Sequence, residues 1–97
     1  MAAAKVQILS KLLRHHNYGE HYVNKHTALS KVPRDAWDVG EDAMAELVQD
    51  GILEEHKHKD CVSINPAEDA AVEEMLSGVV PDYFIDHYLE QHVAEHG

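Results

Sequence analysis

Residues 41–66 read EDAMAELVQD-GILEEH-KHKD-CVSINP, and the reading of this stretch decides the fold. Met44, Leu47 and Val48 repeat at the i, i+3, i+4 spacing of one helical face. Gly51 follows the last periodic residue, where a left-handed helix cap favours glycine. Ile52 and Leu53 open an extended run over residues 52–56. Cys61, Val62 and Ile64 mark a partner run over 61–64, with a charged turn at 57–60. Pro66 closes the second run, because proline has no N–H to give a ladder. The expectation is an antiparallel hairpin in which Leu53, Val62 and Ile64 close a core under Met44, Leu47 and Val48.

Working outward, Val6, Ile8, Leu9, Leu12 and Leu13 form one broad apolar stripe, which predicts a first helix over 3–16 ending at Asn17, Tyr18 and Gly19. HYVNK over 21–25 is a polar connector with room for a short strand. Thr27 is placed to cap a brief second helix, ALSKV, closed by Pro33, and Asp38 to cap the third. Downstream, Asn65 and Pro66 open a fourth helix over 67–76 with Ala71, Val72, Met75 and Leu76 inward. Ser77 and Gly78 break it, and Pro81 starts a last helix. Helix, short helix, helix, hairpin, helix is the order of an α+β winged helix-turn-helix. The expected organisation is a winged-helix domain over 1–78 and an added C-terminal helix over 79–97.

A chain of 97 residues suits one modest core. No apolar run approaches the ~18 residues of a transmembrane helix, and MAAAKVQILSKLLR does not have the build of a signal peptide. A single cysteine, Cys61, rules out an internal disulfide. These features predict a cytoplasmic protein with no membrane partner. The net charge of −10 is unevenly spread: residues 1–34 hold six Lys or Arg against Glu20 alone, and residues 35–97 hold Lys57 and Lys59 against seventeen acids. Such asymmetry points to two faces with different partners, or to an acid-coated solvated surface.

The stretch from Leu12 to Pro66 resembles a family of small archaeal winged-helix proteins of poorly defined function. The resemblance rests on KHT at Lys25, His26 and Thr27, the turn at Pro33, ELVQDGIL over 46–53 and SINP over 63–66. It spans about residues 6–76. What it implies is the fold and a nucleic-acid-associated role, with no catalytic residues. The acid-rich, lysine-poor composition also resembles that of salt-adapted archaeal proteins.

If the chain binds DNA or RNA, cations must meet phosphates. The presumed recognition helix has none: it offers Glu41, Asp42, Glu46, Gln49 and Asp50. A nucleic-acid face must therefore be built from Lys25, His26, Lys31 and Arg34 before that helix, and from Lys57 and Lys59 on the hairpin turn. The favoured reading is a small DNA-binding transcriptional regulator. The alternative is a protein-interaction adaptor that uses the acidic third helix to dock a basic protein partner. Convergence of the five Lys and Arg side chains favours nucleic acid, and their scatter favours the adaptor.

No Gly-rich phosphate loop, HExxH or Gly-x-Ser-x-Gly occurs, so neither an enzyme nor a cofactor is expected. His56, His58 and Cys61 invite a metal reading, with His56 and His58 on one side of a strand. Four ligands are wanted and no second cysteine exists, so no metal is expected. Cys61 is read as a small core-facing strand residue, and Trp37 as a core or staple residue. Tyr83, Phe84, Tyr88 and Leu89 make an apolar surface on the last helix, expected to be a homodimer interface or to fold back on the domain.

Overall fold

The computed structural model of the chain describes residues 2–80. Its elements are α1 (Ala2–Arg14), β1 (Val23–Asn24), α2 (Lys25–Ala28), α3 (Trp37–Gln49), β2 (Leu53–His56), β3 (Cys61–Ile64) and α4 (Asp69–Leu76). They build an α+β domain of four helices on a three-stranded antiparallel sheet of order β1-β3-β2. The expected interface residues Tyr83, Phe84, Tyr88 and Leu89 lie outside the described residues. Among the described residues, no helix is long and apolar enough to cross a membrane.

The helix-to-hairpin stretch folds as its sequence dictates. Gly51 has φ +80°, and its N–H bonds Val48 O while Ile52 N–H reaches back to Leu47 O, both at 3.0 Å. These two bonds form a Schellman cap, and Leu47 and Ile52 are both buried beside it. The chain turns out of α3 directly into β2. There Leu53 opposes Ile64, Glu54 opposes Ser63, Glu55 opposes Val62 and His56 opposes Cys61.

The core lies between the helices and one face of the sheet. Ile8, Leu9, Leu12 and Leu13 of α1 meet Met44 and Leu47 of α3, Leu53, Val62 and Ile64 of the sheet, and Val72 and Leu76 of α4. Leu47 and Leu76 are fully enclosed, so truncating either to Ala costs about 2–5 kcal/mol. The segment after α2 also packs inward through Leu29 and Val32. It lies so close to α3 that a Cβ on Gly40 would sit 2.9 Å from Leu29 Cδ2. This close approach fixes the α2–α3 connector, residues 29–36, on the body of the domain.

Four local expectations are corrected. The second helix spans Lys25–Ala28 and is capped by Asn24, whose side chain accepts from His26 N at 2.8 Å. β1 ends at Asn24, paired with Cys61, so the strand's last residue caps the helix and Thr27 does not. Asp38 does not cap α3: a 3-10 turn, Arg34–Ala36, runs directly into Trp37, leaving Asp38 in the first turn, where its charge suits the helix dipole. Cys61 does not face the core. Val62 and Ile64 take that face, so the two-residue period turns the half-buried Cys61 outward with Ser63. His56 and His58 do not share a strand face, because β2 ends at His56 and His58 sits in the turn with φ +57°.

Candidate nucleic-acid interface

The outer face of the sheet follows from the register. Val23 pairs with Val62 on the core side, which sends Tyr22 and Asn24 outward with Cys61, Ser63, Glu54 and His56. Tyr22 and His56 stack there, ring centroids 4.5 Å apart and 19° from parallel. His56 Nε2 lies 3.0 Å from Ser63 Oγ, which donates in turn to Gly19 O at 2.8 Å. With its proton committed to a carbonyl, Ser63 accepts from the imidazole. Ser63 is also fully buried, so the pair anchors the loop at Gly19 and has the wrong polarity for an activated nucleophile.

Beyond His56 the hairpin turn is strained. Lys57, His58 and Lys59 all have left-handed backbone, with φ of 54°, 57° and 75°. Each such residue costs about 1–2 kcal/mol. The turn closes through Asp60 N to Lys57 O at 3.1 Å, and Lys57 Nζ lies 5.9 Å from the Tyr22 ring centroid. The turn is also tied to α2, since Lys25 N donates to Asp60 O at 2.9 Å. Lys25 Nζ bonds Glu55 Oε2 at 2.9 Å, so its charge is already matched.

The strip continues along α2 to the connector. His26 and Trp37 have ring centroids 5.6 Å apart, and the Arg34 guanidinium lies 4.8 Å over the indole. Trp37 Nε1 donates to Val32 O at 2.9 Å, which fixes the ring plane. Trp37 packs on the core with one part, as expected of a staple, and presents the rest to a depression of about 520 Å³ lined by His26, Thr27, Ser30, Val32 and Arg34.

The bond from Lys25 N to Asp60 O joins two clusters into one strip, Arg34, Trp37 and His26 at the connector and Lys57, Tyr22 and His56 at the hairpin turn that also holds Lys59. The Lys25 side chain turns with Glu55 to the core side of the sheet, into the groove along α3. The strip runs from Arg34 and Trp37 over the first turn of α2 to the hairpin turn, Tyr22 and His56. Lys31 is not on it. Its side chain lines a different groove with Lys11 and Arg14 of α1. The strip's charge is nearly balanced, since Asp35 and Asp60 accompany Arg34, Lys57 and Lys59. The exposed side of α3 carries Asp38, Glu41, Asp42 and Gln49 and no cation. Glu41 and Gln49 border a groove of about 450 Å³ floored by Leu29, Met44, Ala45 and Val48, whose other wall is Lys25, His26 and Glu55.

The aromatic members of the strip, Tyr22 and the open part of Trp37, were not legible as site residues. Tyr22 faces outward only because of the β1–β3 register. The signal available for Trp37 was its place three residues after Arg34. Among the described residues, no group of three or more His, Cys, Asp or Glu side chains is arranged to hold a metal ion. No family model matches this chain, and no curated protein or solved structure matches it either.

Proposed function

We propose that this chain is a small winged-helix protein that holds nucleic acid on the strip between the α2–α3 connector and the hairpin turn. In this reading β2, the turn and β3 are the wing, and α3 stands off from the phosphates. What supports it is one observation: each aromatic ring carries a cation, Arg34 over Trp37 and Lys57 beside Tyr22, in two clusters joined by the bond from Lys25 N to Asp60 O, while the exposed polar side chains of α3 include no cation. Carboxylates repel phosphate, so insertion of α3 into a major groove is disfavoured. The strip's near-balanced charge gives modest attraction for phosphate, and its rings supply stacking worth about 1–3 kcal/mol per base. That combination suits a single-stranded or locally unpaired nucleic acid better than an intact duplex. It narrows the expected transcriptional regulator to a nucleic-acid-associated protein without base readout by α3.

The test uses the chain's single tryptophan. Single-stranded oligonucleotide added at low salt is expected to quench Trp37 fluorescence, saturably and with an affinity that falls as salt rises. Quenching by duplex of the same length should be weaker. A second reading, an adaptor for a basic amphipathic peptide, is favoured by the acidic α3 side bordering the groove at Leu29, Met44 and Val48. Binding of such a peptide with no nucleic-acid binding at any salt concentration would replace the first reading by the second.

A further inference from the structure

On the far side of the connector, the end of α1 and residue 31 form a second cationic groove. Lys11 and Arg14 stand one helical turn apart on the last turns of α1, and Lys31 comes in from the connector, seventeen residues beyond Arg14 in sequence. The groove they line measures about 270 Å³. Cations in the last turn of a helix are favoured by its dipole, which accounts for Lys11 and Arg14. It does not account for Lys31, which another element brings into the same place. The crowding is felt locally: partial desolvation, then the charges of Lys11, Arg14, Lys31 and His16, hold the neighbouring His15 below the ordinary histidine range. Ser10 also lines this groove, and its Oγ is sealed from water with no hydrogen-bond partner among the described residues. An oxyanion entering here meets Lys11 and Lys31.

The connector joins this groove to the strip. Ser30 and Val32 line the depression beside Trp37, while Lys31 between them lines the α1 groove. Successive residues of one short segment thus serve two adjoining cavities, and Arg34 follows three residues later.

We infer that the groove between Lys11 and Lys31 binds backbone phosphates of the same nucleic-acid strand that lies on the strip, carrying it across the connector to the end of α1. This rests on the nucleic-acid reading of the strip. A strand is the fitting ligand because its charges repeat evenly along a flexible chain, and two cationic cavities separated by one segment require continuity of charge.

The test compares the parent chain with the Lys11→Gln/Lys31→Gln double variant, using single-stranded oligonucleotides of about four and about sixteen nucleotides, the span of one small single-strand site to a long one. The short strand should quench Trp37 equally in both proteins. The long strand should bind the parent more tightly than the short one, and most of that gain should vanish in the variant. Its salt slope should fall by about 1.4, from two phosphates at about 0.7 each. Equal long-strand affinity and slope in the two proteins, with Trp37 still quenched, would overturn the groove and leave the strip standing. Lysine-dependent binding of the long strand without a Trp37 response would keep the groove and overturn the strip. No binding of either strand overturns both, and polyglutamate competing as well as the long oligonucleotide overturns the assignment to nucleic acid.

Discussion

The indole Nε1 of Trp37 donates to the carbonyl oxygen of Val32 at 2.9 Å. That bond links the first residue of α3 to the connector that Gly40 allows to pack closely, so the ring is held before any ligand arrives. A ring already fixed loses little entropy on stacking, which is the advantage of preorganisation. Trp37→Ala should therefore weaken single-strand binding by about 1–3 kcal/mol, the loss of one stacked base. Trp37→Phe should fall between, since it keeps a ring without the Val32 bond. Fluorescence anisotropy of a labelled oligonucleotide reads both, with urea melts to account for lost packing.

Glu55 holds the Lys25 side chain off the strip, in the groove along α3. Its carboxylate holds Lys25 Nζ at 2.9 Å on a partly exposed surface. Glu55→Gln should free Lys25, tighten binding and steepen the salt slope by up to about 0.7, one further phosphate on a single strand. Stability should drop by no more than about 1 kcal/mol, the ordinary worth of such a pair. Weaker binding in this variant would mean that Lys25 serves the fold and not the ligand.

The hairpin turn holds three successive left-handed residues, none of them glycine. His58→Gly should raise stability by about 0.5–1 kcal/mol, because relief of roughly 1–2 kcal/mol of backbone strain outweighs the added freedom of the unfolded chain. Lys57 and Lys59 remain in place, so nucleic-acid affinity should change little. Urea denaturation and anisotropy on the same variant check both halves.

Acid should act through His15. Its folded pKa lies below the ordinary value of about 6.5, so the unfolded chain takes up this proton more readily than the folded one. The stability associated with neutral His15 is complete above the ordinary value and is lost as pH falls from there through the lowered folded value. His15→Gln should flatten the stability profile in that window. Lys31→Gln should move the His15 titration, followed by NMR, upward without restoring it fully, because desolvation is the first cause and Lys11, Arg14 and His16 remain.

The stretch from α3 to β3 was legible because its period changes from 3.6 to 2 at a glycine, and each half buries the residues its period selects. α4 was legible through the i, i+4 spacing of its buried Val72 and Leu76. The start of α2 was not, because the capping Asn24 also ends a strand of two residues, too short to show any period. The outward turn of Cys61 was available from the alternation with Val62 and Ile64. Half of the site was visible as charge, in Arg34, Lys57 and Lys59. The other half depends on tertiary contacts: Tyr22 needs the β1–β3 register, the neutralised Lys25 needs Glu55 across the sheet, and Lys31 reaches Lys11 only because the connector folds against α1.

The most direct test of the nucleic-acid strip is an amide chemical-shift map of the full chain titrated with single-stranded oligonucleotide at low salt. The expected shifts fall on His26, Ser30, Arg34, Trp37 and residues 57–60, with Glu41, Asp42, Ala45 and Gln49 on the exposed side of α3 unmoved. Shifts concentrated on that side of α3, or none anywhere at saturating oligonucleotide, would contradict it.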